Sequence, residues 1–227
     1  MTAACTPARA YPARLRGSAP AVAGLYAITP EDADTDRLAR KVAAALAGGA
    51  RLIQYRSKSS DAAARRAQAE CLLGLCRHAG ATLIVNDDLE LALAIGADGV
   101  HLGRDDGDVT AARARLGSDR LLGVSCYDSL ELAVAAVAQG ADHVAFGSAF
   151  DSPTKPEAPR APSELFAQAK DRLRVPVVAI GGITPENAHL VIEAGADAVA
   201  VITALFGASD ITATAAAYSR HFQRRKT

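Results

Sequence analysis

Neither sign of charge dominates this chain: Lys plus Arg number 25 and Asp plus Glu 25, so the formal net charge is zero. A neutral total gives no global field for nucleic acid or an anionic membrane surface, so neither is expected as a partner. No apolar run approaches the roughly 20 residues that a membrane-spanning helix needs. The four cysteines are Cys5, Cys71, Cys76 and Cys126, with no Cys-x-x-Cys pair and no zinc-ligand spacing with His. They read as thiols in a reducing compartment, and the expected location is the cytoplasm. Acids are missing from residues 1–23, which are rich in Ala, Pro and Arg. With Pro7, Pro12 and Pro20 and no long amphipathic pattern, this stretch is expected to be a loose extension rather than a targeting segment. Residues 223–227 form a short basic tail.

What is present is an alternation. In a chain of 227 residues, one large domain over residues 24–222 is the simplest division. Strand candidates are Leu25–Thr29, Leu52–Arg56, Thr82–Asp87, Gly99–Gly103, Leu121–Cys126, His143–Ser148, Val177–Gly182 and Ala198–Leu205. Several are apolar almost throughout, as expected of a parallel sheet covered on both faces. Between and after them lie helical patterns at Asp36–Ala47, Ala62–His78, Leu89–Ile95, Val109–Leu116, Leu130–Ala138, Ser163–Leu173, Pro185–Glu193 and Asp210–Phe222. A Gly-Ala joint precedes the second, fourth, sixth and eighth strands, at Gly49, Gly96, Gly140 and Gly195, which suggests a repeat of two βα units. Thr184-Pro185 reads as a helix start. Eight βα units over about 200 residues predict an α/β fold, a single (β/α)₈ TIM barrel. The rival, a doubly wound open sheet, usually carries a glycine-rich loop after its first strand, and Thr29-Pro30-Glu31 stands there instead.

A barrel demands functional residues at the C-terminal ends of its strands. Gln54-Tyr55-Arg56-Ser57-Lys58 follows strand 2, and an extended backbone would aim Gln54, Arg56 and Lys58 to one side. Arg and Lys there suit phosphate oxygens, although two solvated surface cations explain the motif equally well. Asn86-Asp87-Asp88 follows strand 3, and His101-Leu102-Gly103-Arg104-Asp105-Asp106 spans the end of strand 4. Two carboxylates from adjacent strand ends would hold one Mg²⁺. Alternatively these acids cap a helix or close a turn, a role that fits Asp88 best, directly ahead of Leu89. His101, alone in a strand, is left outside the catalytic set. Ser125 has no His or Asp partner in its sequence context and is expected to hydrogen-bond substrate rather than attack it. The sixth loop, from Ala149 to Pro162, carries Ser152-Pro153-Thr154-Lys155, a hydroxyl- and ammonium-bearing run suited to phosphate. Gly181-Gly182 and Ile202-Thr203 occupy the two loops that form the usual barrel phosphate site. The sum is two anion sites at one mouth, so the expected partners are small phosphorylated molecules. A homo-oligomer is compatible with the sequence, which carries no signature of one.

At these residues the chain resembles the thiamine phosphate synthase family from Gly24 to about Phe206. The resemblance rests on Gln-x-Arg-x-Lys at 54–58, Asn86-Asp87, His-Leu-Gly-x-x-Asp at 101–106, Gly-Val-Ser at 123–125, Ser-Pro-Thr-Lys at 152–155, Gly-Gly-Ile at 181–183 and Ile-Thr at 202–203. It implies a transferase that joins hydroxymethylpyrimidine diphosphate to thiazole phosphate, making thiamine monophosphate and releasing diphosphate. It further implies that Gln54, Tyr55, Arg56, Ser57, Lys58, Asn86 and Ser125 bind the pyrimidine diphosphate, with Lys155 on its diphosphate. Asp87 and Asp106 would bind Mg²⁺, and Ser152, Pro153, Thr154, Gly182, Ile202 and Thr203 the thiazole phosphate. Arg56, Lys58, Ser125 and Lys155 form the expected catalytic set. Departures are Ser57 where an acid or amide is common, the Ala149-Phe150-Asp151 opening of the sixth loop, and Thr203 for a frequent Ser. The alternatives are a thiazole tautomerase-like paralogue, a Schiff-base aldolase using Lys58 or Lys155, and a non-catalytic precursor-binding protein.

Overall fold

The computed structural model describes residues 22–104, 106–151 and 160–223. Its strands are β1 (Gly24–Ile28), β2 (Leu52–Tyr55), β3 (Thr82–Asn86), β4 (Gly99–Leu102), β5 (Leu121–Tyr127), β6 (His143–Phe146), β7 (Val177–Ile180) and β8 (Ala198–Val201). Each pairs in parallel with the next and β8 pairs with β1, closing the barrel. The helices are α1 (Thr35–Ala47), α2 (Ala62–His78), α3 (Leu89–Ile95), α4 (Val109–Leu116), α5 (Leu130–Ala138), α6 (Ser163–Arg172), α7 (Ala188–Glu193), α8 (Thr203–Phe206) and α9 (Ile211–Gln223). The (β/α)₈ expectation therefore holds.

Three details differ from the sequence reading. The eighth strand stops at Val201, and the apolar run that continues it is the short helix α8. Apolar content alone does not separate a buried strand from a buried helical turn. Residues 185–187 form a turn, and α7 begins only at Ala188. The Asn187 side chain accepts from the Thr184 N–H (2.8 Å) and donates to the Gly182 carbonyl (3.0 Å), holding that turn. Val22, counted with the extension on sequence, is 2% exposed and packs with residues of the barrel lumen.

The Gly-Ala joint also recurs at Gly80-Ala81, ahead of β3, so it does not mark every second strand. At all five joints the Ala N–H reaches back to a helix carbonyl, as Ala50 does to Ala45 and Ala81 to Cys76. The glycines take positive φ, from +63° to +122°. This is the Schellman ending of a helix, which satisfies its last carbonyls. The period of two resides in the next residue. Asp98, Asp142 and Asp197 each accept the first-rung backbone N–H of the preceding strand: Leu83 at 2.8 Å, Leu122 at 2.7 Å and Val177 at 2.8 Å. These carboxylates tie β3 to β4, β5 to β6 and β7 to β8 at the floor. Arg51 stands at the corresponding place before β2.

Outward strand residues such as Ile53, Leu83, Val100, Val144 and Val199 pack against the helices in one large apolar cluster. Inward residues, among them Tyr26, Leu52, Ile84, Val178 and Ala200, fill the lumen as a second cluster. The alternation follows from the period-two pleat. Cys71, Cys76 and Cys126 are buried, and Cys76 and Cys126 are free thiols. No helix among the described residues is long and apolar enough to cross a membrane.

Candidate active site at the barrel mouth

The loop after β1 clamps the basic segment after β2. Thr29 is fully buried, and its hydroxyl accepts from the Arg56 N–H (2.9 Å) and donates to the Arg56 carbonyl (3.2 Å). Glu31 accepts from the Lys58 N–H at 2.8 Å and lies 3.5 Å from the Arg56 guanidinium. Arg56 is thereby fixed, partly buried, at the strand end, whereas the Lys58 side chain is exposed. Gln54 is 3% exposed inside the lumen and donates to the Tyr26 hydroxyl at 2.8 Å. Tyr55 faces the other way. Its ring is buried between β2 and α2, with its hydroxyl donating to Gln68 at 3.0 Å, and it also lines the groove that passes Asp87. The pleat requires the outward turn, since neighbours of an inward Gln54 point outward.

Asp87 and Asp106 meet across the ends of β3 and β4. Asp87 adopts a left-handed backbone (φ +64°), a conformation that Asp tolerates better than most residues. Its N–H donates to the His101 carbonyl at 2.8 Å. Partial burial and the facing Asp106 carboxyl raise its pKa from the ordinary 3.8 to about 7, against the lowering influence of Arg56. Asp106 also accepts the Gly103 N–H at 2.8 Å. Juxtaposed carboxylates are unfavourable unless a cation or a proton lies between them. Two hard oxygen donors, with room for waters and phosphate oxygens, suit Mg²⁺ better than a metal that needs a full protein cage. The described residues contain no group of three or more such ligands. Asp88 does what its sequence position suggested: it caps α3 by accepting the Leu91 N–H at 2.9 Å, and it pairs with Arg65 at 3.1 Å. A groove of about 510 Å³ runs past Tyr55, Ser57, Asn86, Asp87 and Asp106.

Ser125 has a histidine partner after all. The parallel register sets His101 beside Gly123, two residues before Ser125. His101 Nε2 then lies 2.9 Å from Ser125 Oγ. The pairing crosses 24 residues of chain, so no local sequence pattern announces it. Burial lowers the His101 pKa to about 4. An imidazole this weakly basic, with no acid hydrogen-bonded behind it, does not make Ser125 a nucleophile of the triad kind. Nearby, the Arg104 guanidinium sits 4.4 Å from the centre of the Tyr127 ring, a cation–π contact at the mouth.

On the opposite side, loop 6 lies against loop 7. Ala149 and Phe150 donate N–H groups to the carbonyls of Ile180 and Gly181 at 2.9 and 3.0 Å. A Cβ on Gly181 would fall 2.2 Å from Ser148 Oγ, and one on Gly182 would fall 2.4 Å from the Asp151 carbonyl oxygen. Both glycines have positive φ. The close approach that demands glycine here is therefore already made by the protein backbone. Ile202 is partly buried against the lumen cluster, and Thr203 opens α8. Ser152, Pro153, Thr154 and Lys155 lie outside the described residues. The flanks of that segment are joined by an Asp151–Arg160 ion pair and by the Ala161 N–H to the Ser148 carbonyl, 3.0 Å.

A closed parallel barrel whose strand ends gather cations, facing carboxylates and a glycine-lined loop pair belongs to the class of (β/α)₈ enzymes that handle phosphorylated small molecules. Residues 25–205 match the family model described as thiamine monophosphate synthase. The thiamine-phosphate synthase of Chromobacterium violaceum is 59% identical over 206 residues, covering 91% of this chain and 99% of that protein. The corresponding protein of Bordetella bronchiseptica is 54% identical, covering 88% and 95%. A thiamine phosphate pyrophosphorylase from Pyrococcus furiosus superposes with a TM-score of 0.79 at 34% identity, covering 88% of this chain and 96% of that one. The chain belongs to the thiamine monophosphate synthase family, a family of transferases in thiamine biosynthesis.

Proposed function

We propose that this protein condenses 4-amino-2-methyl-5-hydroxymethylpyrimidine diphosphate with 4-methyl-5-(2-phosphoethyl)thiazole, giving thiamine monophosphate and diphosphate. The observation that carries the reading is the facing pair Asp87 and Asp106 with Arg56 beside it, at the end of a barrel where Ser125, Gly182 and Thr203 also follow or close their strands. A tautomerase-like relative would have no need of that pair. The reaction breaks one C–O bond and forms one C–N bond. The diphosphate leaves with the bonding electrons, the aminopyrimidine ring delocalises the resulting cation, and the thiazole nitrogen supplies the new pair.

The chain's own part in this is electrostatic and positional. Arg56 is held by Thr29 and Glu31 where it would face the departing diphosphate. Lys58 and Lys155 would add mobile positive charge. Asn86 and Ser125 would hydrogen-bond the pyrimidine, with Gln54 below them, while loops 6 to 8 take the thiazole phosphate. Asp87 and Asp106 would hold Mg²⁺, which when bound neutralises phosphate oxygens. The buried free thiols Cys76 and Cys126 are in keeping with a cytoplasmic location. Incubation with both precursors and Mg²⁺, followed by detection of thiamine monophosphate and diphosphate in equal amounts, tests the proposal. No coupled product under these conditions would overturn it.

A further inference from the structure

Loop 7 is held from behind by the last helix. α9 carries none of the family's motifs, yet its C-terminal end lies against residues 183–185. The Tyr218 hydroxyl donates to the Ile183 carbonyl at 2.9 Å, and His221 Nε2 donates to the Pro185 carbonyl at 2.8 Å. Tyr218 is fully buried, and burial pushes its phenol up, so it keeps the hydrogen it donates. These two bonds complete a run in which every carbonyl from Ile180 to Pro185 has a donor. The N–H groups of Ala149, Phe150 and Ala188 serve Ile180, Gly181 and Thr184, and the Asn187 amide serves Gly182. The Thr184 N–H goes to Asn187 Oδ1. By contrast, the N–H groups of Gly182 and Ile183 have no acceptor among the described residues. In a trans peptide the N–H points away from the carbonyl of the same unit. A loop whose carbonyls are all held by the protein therefore offers its remaining N–H groups on the other side, and successive N–H groups at such a turn suit an anion.

We propose that Tyr218 is a positioning residue for the thiazole phosphate, acting through the Ile183 carbonyl to hold the backbone that presents the Gly182 and Ile183 N–H groups. The inference rests on the reading of loops 6 to 8 given above. Tyr218 itself makes no contact with phosphate in this scheme. Gly181 and Gly182 have φ of +101° and +62° and no Cβ to restrict them, so the peptide planes around them need fixing from outside. Phe150 and Asn187 fix the first two planes, and Tyr218 fixes the next. Without its hydroxyl the Ile183 carbonyl would be left unpaired, and turning that peptide to find another donor would release the neighbouring plane, which bears the Ile183 N–H. The phosphate is remote from the reacting thiazole nitrogen. A donor misplaced there weakens the bound substrate and the transition state alike, which raises a Michaelis constant and leaves the saturated rate unchanged.

The test replaces Tyr218 by Phe in the full-length protein, which keeps the ring and removes only the hydroxyl. The Michaelis constant for thiazole phosphate is expected to rise about fivefold, the worth of one neutral hydrogen bond. The constant for the pyrimidine diphosphate and the rate with both substrates saturating should stay within about twofold. His221→Ala, at a partly exposed position, should shift the same constant in the same direction. Ser219→Ala is the control. It removes the hydroxyl that ties α9 to the Gly48 carbonyl (3.3 Å) and makes no contact with loop 7, so both constants should stand. Equal rises for the two substrates, no rise in Tyr218→Phe, or the same rise in Ser219→Ala would overturn the proposal. If the wild type makes no thiamine monophosphate, the functional reading falls by itself, and amide NMR decides the role of Tyr218. Inorganic phosphate should shift the Gly182 and Ile183 N–H signals of the wild type at lower concentration than those of Tyr218→Phe, and identical titrations would overturn the proposal.

Discussion

The carboxyls of Asp87 and Asp106 face each other across the ends of β3 and β4, and partial burial together with this contact lifts Asp87 to a pKa of about 7. A raised carboxyl pKa means that the folded chain binds more protons than the unfolded one between about pH 4 and 7. Its contribution to stability is complete below that window and is lost as the pH rises through it. The metal-free protein should therefore melt at progressively lower temperature across the window. Asp87→Asn should flatten that slope, and Mg²⁺ with diphosphate should raise the wild-type melting temperature at pH 8. Melting curves recorded against pH, with and without the metal, check this. A wild-type slope retained in Asp87→Asn would remove Asp87 as its cause.

Asp87→Ala and Asp106→Ala should each lower turnover on the order of a hundredfold, the usual scale for losing a charge-stabilising element. Binding of the diphosphate substrate should weaken in both, and adding Mg²⁺ should no longer restore it. Full activity of Asp87→Ala in chelated buffer would end the metal assignment.

Ser125→Ala removes a hydroxyl that does two jobs. It would strip the pyrimidine of a hydrogen bond and leave His101 Nε2 buried without its partner. The expected costs are a raised Michaelis constant for the pyrimidine diphosphate and about 1–3 kcal/mol of stability. Denaturant titration beside steady-state kinetics separates the two effects.

Gly182→Ala should destabilise the base of loop 6 whether or not phosphate binds there. Its Cβ would fall 2.4 Å from the Asp151 carbonyl oxygen, at a φ of +62°. A loss of about 1–3 kcal/mol is expected, and the Michaelis constant for thiazole phosphate should rise more than that for the pyrimidine diphosphate. Equal increases would mean that the two anion sites are wrongly assigned.

Lys155→Ala should slow bond breaking in a single turnover more than it weakens binding of either substrate, because the lost charge acts most on the departing anion. An unchanged single-turnover rate in rapid quench would exclude that role.

The eight strands were legible because β-branched apolar runs are dense where both sheet faces are covered, as at Val177–Ile180. Their ends were less so, and α8 was hidden because Ala198–Leu205 is apolar whichever way its backbone turns. The strand-end location of Arg56, Asp87 and Ser125 followed from the architecture alone. Three features were not legible. The outward turn of Tyr55, opposite the inward Gln54 of the same motif, shows only once the pleat is fixed. The His101–Ser125 contact depends on the β4–β5 register, which no local pattern encodes. Thr29 and Glu31, which fix the Arg56–Lys58 backbone, carry no motif of their own; the signal that could have found them is their place after β1, next to β2 in any closed barrel.

The floor ties made by Asp98, Asp142 and Asp197 divide the barrel unevenly. Three strand pairs are cross-linked by carboxylate hydrogen bonds at the floor, while β1 and β2 have Arg51 in that place and are tied by side chains only higher up, through Gln54 to Tyr26 and Thr29 to Arg56. Native-state hydrogen exchange should register the difference as separate cooperative units. The amides of Leu83, Leu122 and Val177 would exchange only with global unfolding, and the floor end of the β1–β2 seam would open before them. A closed ring has no edge strand, yet this one has a built-in place to start coming apart, opposite the β5–β6 wall that carries Gly123 and His143.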